Sequence, residues 1–197
     1  MAPPFTADLS MVTTLPNILT VSRILVIPLI IGTFYIDGGT ARWIACGLFI
    51  AAAVTDFFDG YVARRRNSVS SLGRFLDPIA DKLLVAAVLL MLTAFGRVTQ
   101  VSVLPAVVIL LREILVSGLR EFLADLRVGM PVSNLAKWKT GIQMTALPAL
   151  LVGDAAPYWL PAQMIGEVCL WAAAVLTLIT GWDYLRAGLK HMHEPAE

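Results

Sequence analysis

Six long apolar segments joined by short polar breaks account for nearly all of this sequence. They are Leu15–Ile36, Ala41–Val62, Leu72–Phe95, Val101–Leu123, Val132–Val152 and Leu160–Leu185. Each is close to the ~20 residues that carry a helix across the hydrocarbon core of a bilayer. A lipid-facing backbone must satisfy its hydrogen bonds within the segment, so such runs fold as helices. Composition agrees: 58% of the 197 residues are hydrophobic and only 15% are charged, where soluble domains carry about 25% charged residues. The sequence thus predicts an all-α integral membrane protein of six transmembrane helices. One domain spans 1–190 and residues 191–197 form a tail. The stretch 1–14 has no Lys or Arg and a mildly amphipathic pattern (Phe5, Leu9, Met11, Val12). Both an interfacial helix and a plain tail fit it.

The breaks are rich in turn formers: "DGGT" at 37–40, "RRRNSVSS" at 64–71, "GRVTQ" at 96–100, "DLRVGMP" at 125–131 and "GDAAPYW" at 153–159. Basic residues gather at alternate ends. Arg64, Arg65, Arg66 and Arg74 flank the second break, Arg120, Arg127, Lys137 and Lys139 the fourth, and Arg186 and Lys190 the C-terminus. The other three breaks offer only Arg42 and Arg97. By the positive-inside rule, both termini and the basic breaks face the cytoplasm. Trp43, Tyr158 and Trp159 then belong to the opposite interfacial belt. Cys46 and Cys169 lie in apolar runs and read as small buried hydrophobes. The net charge of +1 gives no sign of a nucleic-acid partner.

Against this background the acids stand out, because ionisable groups within a span are costly. Asp56 and Asp59 lie in the second segment, and Asp77 and Asp81 open the third. Spacings of three and four put each pair on one helix face, and the short break lets the pairs meet across a helix–helix seam. Four carboxylates so close repel unless cations lie between them, and hard oxygen ligands suit Mg²⁺ or Mn²⁺. Gly60, Ala63 and Gly73 supply small side chains nearby, equally suited to close ligand approach and to helix packing.

The stretch from Asp56 to Asp81 reads D-x2-D-G-x2-A-R-x8-G-x3-D-x3-D. All eight fixed positions resemble the signature of the CDP-alcohol phosphatidyltransferase family. The resemblance implies a six-helix membrane fold, commonly a homodimer, and a site for two divalent cations formed by Asp56, Asp59, Asp77 and Asp81. It further implies a CDP moiety held by Asp56, Asp59, Gly60, Ala63, Arg64 and Gly73, with Asn17 and Thr20 contributing from the first segment. Asp81 is the implied general base. The residues themselves leave base and ligand undistinguished among the four acids.

Three further stretches bear on the acceptor. "LPNILTVSRI" (15–24) sets Asn17, Thr20 and Arg23 at three-residue spacing on one side of the first helix. "LLREILVSGLREFL" (110–123) carries Arg112 and Arg120, and "LAKWKTGIQM" (135–144) carries Lys137 and Lys139. For Arg112, a pair with Glu113 and a ligand role are both open; for each lysine alone, a snorkelling anchor is the favoured reading. Together these cations form a pocket for a phosphorylated acceptor. The stretches also resemble the branch of the family that takes sn-glycerol 3-phosphate, whose phosphate would be read by Arg112, Arg120, Lys137 and Lys139. The expected reaction transfers a phosphatidyl group from CDP-diacylglycerol to sn-glycerol 3-phosphate, giving phosphatidylglycerophosphate and CMP at a bacterial inner membrane. The alternatives are an acceptor such as inositol phosphate, an intramembrane prenyltransferase, and an ion transporter with intramembrane acids.

Overall fold

The computed structural model describes the backbone of residues 15–66, 71–125 and 134–193, with side chains over 19–55, 76–124 and 135–186. Among these residues there are six α-helices, one 3₁₀ turn and no strand. The helices are α1 (Leu15–Thr33), α2 (Gly39–Arg66), α3 (Ser71–Ala94), α4 (Val103–Asp125), α5 (Asn134–Val152) and α6 (Ala162–His193), with the 3₁₀ turn at Gly153–Ala155. The expected interfacial segment 1–14 and the last four residues, 194–197, of the expected tail 191–197 lie outside the described residues.

Each apolar segment became one helix, but the ends moved for identifiable reasons. α1 stops at Thr33, because Phe34, Tyr35 and Ile36 donate i→i−3 bonds that tighten the chain into a turn. Gly38 follows at φ +110°, a conformation that L side chains rarely adopt. α3 ends in a Schellman motif: Gly96 N–H bonds Thr93 O at 3.2 Å and Arg97 N–H bonds Leu92 O at 2.8 Å, with Gly96 at φ +62°. α2 and α6 instead overrun their apolar segments to Arg66 and His193. Ala, Arg, Leu and Lys at those ends are strong helix formers, and propensity does not stop where hydropathy does. The residues expected as a tail from 191 therefore begin as helix.

The chain divides into two compact units, residues 1–91 and 92–197. In the first, α1 packs on α2. The buried face of α2 is Ala41, Ala45, Phe49 and Ala52, a mostly small stripe that admits a close neighbour. In the second, α6 packs on both α4 and α5. Here a Cβ at Gly166 would sit 2.6 Å from the Leu150 side chain, so only glycine permits this approach of α6 to α5. A carboxylate fastens the connector before α4 to α6. Glu167 accepts bonds from the Thr99 N–H (3.1 Å) and from the Thr99 and Ser102 hydroxyls (2.9 Å each), and Gln163 donates to Glu167 and to the Arg97 carbonyl.

Every helix also turns large apolar side chains outward: Leu29, Ile44, Leu90, Leu111, Trp138 and Val168 are all exposed. Among the described residues one helix, Ala162–Arg186, is long and apolar enough to cross a membrane. The apolar stretches Leu19–Thr33 and Gly39–Thr55 are shorter. The charged residues spaced along α3 and α4, including Asp77, Asp81, Arg112 and Glu113, dilute the hydropathy of those helices. Trp43, Tyr158 and Trp159 are exposed, and Cys46 and Cys169 are free thiols.

Candidate functional site

The acidic motif occupies the first unit. Asp56, Asp59, Gly60, Ala63 and Arg64 belong to α2, and Gly73, Asp77 and Asp81 to α3. Asn17 belongs to α1. Side chains of Asn17, Asp56, Asp59, Gly60, Ala63, Arg64 and Gly73 lie outside the described residues.

Asp77 and Asp81 are one helical turn apart and each is a little under half exposed, at 43% and 45%. Pro78 lies between them and withholds one backbone donor from the turn that carries both acids. α1 supplies what holds them. The Thr20 hydroxyl donates to Asp77. Arg23 donates from Nη1 to Asp81 at 2.5 Å, and its Nη2 lies 3.6 Å from Asp77. Arg23 is only 1% exposed, the largest fully buried side chain described. A guanidinium can be withdrawn from water when carboxylates take its charge. Thr20 and Arg23, three apart, therefore share the face of α1 that meets the acids.

Asp77 and Asp81 stand on adjacent turns, partly open to solvent, with the Arg23 guanidinium between them. Oxygen donors of this kind fit a hard divalent cation. Among the described residues no three His, Cys, Asp or Glu side chains gather into a metal-holding group, and Asp56 and Asp59 are not part of that set.

The cationic residues form a second cluster, in the second unit. Glu113 on α4 is its hub: Lys139 on α5 donates to it, and Arg112 Nη1 lies 3.4 Å from it. Arg112 also donates from Nη2 to the Thr180 hydroxyl at 2.9 Å. Arg112 and Arg120 both approach the buried ring of Tyr184, at 5.6 and 5.7 Å from its centroid. The pair with Glu113 is thus present. Lys139 is a correction to expectation. It is buried and ion-paired, with no head group reaching for the interface, because its position on α5 aims it at Glu113. Lys137, two residues earlier, points elsewhere. It is exposed and lines a groove of about 500 Å³ with Trp138, Gly141, Ile142, Thr145 and Cys169. No hydrogen bond or ion pair among the described residues joins it to the cluster.

Sequence reasoning passed over Thr180, Gly181, Tyr184 and Glu167 as partners. Glu167 carried a signal, an ionisable residue within a span. Tyr184 and Gly181 carried none, because aromatic and small residues are ordinary in such helices.

Comparison with known proteins gives a consistent picture. Residues 13–179 match the family model described as CDP-alcohol phosphatidyltransferase. A protein of Rickettsia bellii named CDP-diacylglycerol–glycerol-3-phosphate 3-phosphatidyltransferase is 51% identical over 177 residues, 90% of this chain and 96% of that protein. One of the same name from Cereibacter sphaeroides is 39% identical over 215 residues, 91% and 97% of the two chains. A rice protein named cardiolipin synthase (CMP-forming) is 44% identical over 151 residues, 70% of this chain and 45% of that protein.

Proposed function

The chain belongs to the CDP-alcohol phosphatidyltransferase family and is an enzyme, and we propose that it transfers a phosphatidyl group from CDP-diacylglycerol to sn-glycerol 3-phosphate, releasing CMP. The observation that carries this reading is the 51% identity along 96% of a relative named for that reaction.

The proposed chemistry assigns work to both clusters. The acceptor's primary hydroxyl attacks the phosphorus on the diacylglycerol side of the diphosphate. The new P–O bond forms there, the bond to CMP breaks, and Asp81 takes the hydroxyl proton. Arg23 and Thr20 hold Asp81 and Asp77 in place during that transfer. Asp56, Asp59, Asp77 and Asp81 would hold two divalent cations, Mg²⁺ or Mn²⁺, which when bound neutralise charge on the diphosphate. Asn17, Thr20, Gly60, Ala63, Arg64 and Gly73 would receive the CDP moiety. In the second unit, Arg112 and Lys139 both pair with Glu113 and Arg120 joins Arg112 at the Tyr184 ring, so the cations of this cluster outnumber its described carboxylate. That surplus supports a role for Arg112, Arg120 and Lys139 in binding the acceptor's phosphate, with Lys137 an outlying member.

The proposed setting is a bacterial inner membrane crossed by six helices, with both termini and the site on the cytoplasmic side, and a homodimer as the working form. Apolar side chains exposed on every helix support a lipid surround, since water-facing proteins rarely present so many. A second reading changes only the acceptor, and the rice relative's name favours it over the shorter stretch that protein shares. Purified protein given CDP-diacylglycerol and one acceptor at a time tests the proposal. CMP release is expected with glycerol 3-phosphate and not with inositol phosphate. Turnover of inositol phosphate without glycerol 3-phosphate would reject it.

A further inference from the structure

Arg112 owes its orientation to one short stretch of α6. Its Nη2 donates to the Thr180 hydroxyl. That hydroxyl spends its own proton on the Leu176 carbonyl at 2.8 Å, which fixes its lone pairs as acceptors. Its Nε is buried with no hydrogen-bond partner among the described residues. Its stem runs against Gly181, where a Cβ would lie 3.0 Å from Arg112 Cγ. Its guanidinium lies 5.6 Å from the Tyr184 ring centroid, and that of Arg120, eight residues on, lies 5.7 Å from the same ring. Thr180, Gly181 and Tyr184 fall at i, i+1 and i+4, so they share one side of α6. Two like charges gather at one aromatic ring, whose electron-rich face attracts cations. The Tyr184 hydroxyl is buried and without a hydrogen-bond partner among the described residues, so it is the ring that makes the described contacts.

We propose that Thr180, Gly181 and Tyr184 form a cradle on α6 that positions Arg112 and Arg120 for the acceptor's phosphate, making them specificity-determining positioning residues. The proposal rests on the phosphate-binding role given above to the two arginines. Gly181 excludes a side chain so that the Arg112 stem can pass, Thr180 anchors the guanidinium, and Tyr184 sets the separation of the two charges. None of the three need touch substrate.

Gly181→Ala is the sharpest test, because position and stability should part. Alanine favours a helix interior over glycine, so the unfolding midpoint of the purified full-length protein should hold or rise. The added methyl pushes the Arg112 stem aside, and KM for glycerol 3-phosphate should rise about tenfold, with KM for CDP-diacylglycerol unchanged. Tyr184→Leu should raise the acceptor KM roughly 3- to 30-fold, and Tyr184→Phe, which keeps the ring, should recover most of that loss. Arg112→Ala run beside them separates the two levels. If it raises acceptor KM while Gly181→Ala does not, the cradle is refuted and the phosphate role stands. If Arg112→Ala itself leaves acceptor KM unchanged, the phosphate role falls and takes the cradle with it. Equal rises for both substrates in Gly181→Ala, or a Tyr184→Phe defect as large as that of Tyr184→Leu, would also overturn the proposal.

Discussion

In the first unit one buried guanidinium, Arg23, faces two half-exposed carboxylates. In the second, one carboxylate, Glu113, faces a buried lysine and a part-buried arginine, with Arg120 joining through Tyr184. Both arrangements take ionised groups out of water, which is tolerable only where opposite charge compensates them. They differ in what is left over. Among the described residues, the first sets two carboxylates against one guanidinium at a partly exposed surface, and the second sets more cations than carboxylates together. In the proposed reaction a positive ligand would complete the first and a negative one the second. The reaction proposed above, with a metal-held diphosphate and a phosphorylated acceptor, would use both. The comparison also separates two jobs for a charge: Arg23 and Glu113 are the minority partners that hold the others in place, and the majority residues are the ones that the proposed reaction assigns to ligands.

That contrast can be broken most forcefully at Asp81. Asp81→Asn keeps the shape and one acceptor oxygen but cannot take up the hydroxyl proton, so kcat should fall by about 10³-fold. CMP release from CDP-diacylglycerol measures it, and a variant within tenfold of the parent enzyme would remove Asp81 as the base. Lys139→Met probes the opposite unit at roughly constant volume. With one cation gone the surplus shrinks, and KM for glycerol 3-phosphate should rise about 10- to 100-fold while KM for CDP-diacylglycerol stays put. A rise confined to CDP-diacylglycerol would reverse the assignment of the two clusters. The smallest effect belongs to a polar site outside both. Thr99→Val removes one of the donors to Glu167 and keeps the backbone N–H bond, so stability should drop by about 0.5–1.5 kcal/mol with both KM values unchanged. Thermal unfolding in detergent measures the first and the acceptor assay the second. A shifted acceptor KM would mean that the connector before α4 bears on the cation cluster.

The helices were legible because hydropathy and turn chemistry are local. Gly38, Gly96 and Gly153 all adopt positive φ at breaks marked by their turn residues. The helix ends were less legible, since the strong helix formers at Ala63–Arg66 carry α2 past the point where the apolar run fades. The acidic site was visible as spacing alone. Asp77 and Asp81 are one turn apart in any helix, so their shared face needed no fold to be known. What held them was not visible: Arg23 was expected among the cations of the acceptor pocket, and nothing in its neighbours named Asp77 and Asp81 as its partners.

The amino-acid order by itself determined six helices, the clustering of four aspartates within 26 residues, and the presence of cations where apolar residues dominate. Tertiary structure alone decided which charges meet. Arg23 reaches Asp81 across 58 residues and Lys139 reaches Glu113 across 26. It also decided that Lys139 turns inward while Lys137 turns out. The reason is geometric: periodicity fixes which residues share a helix face, but the rotation and register of one helix against another fix what that face touches, and those follow from packing contacts far apart in the chain.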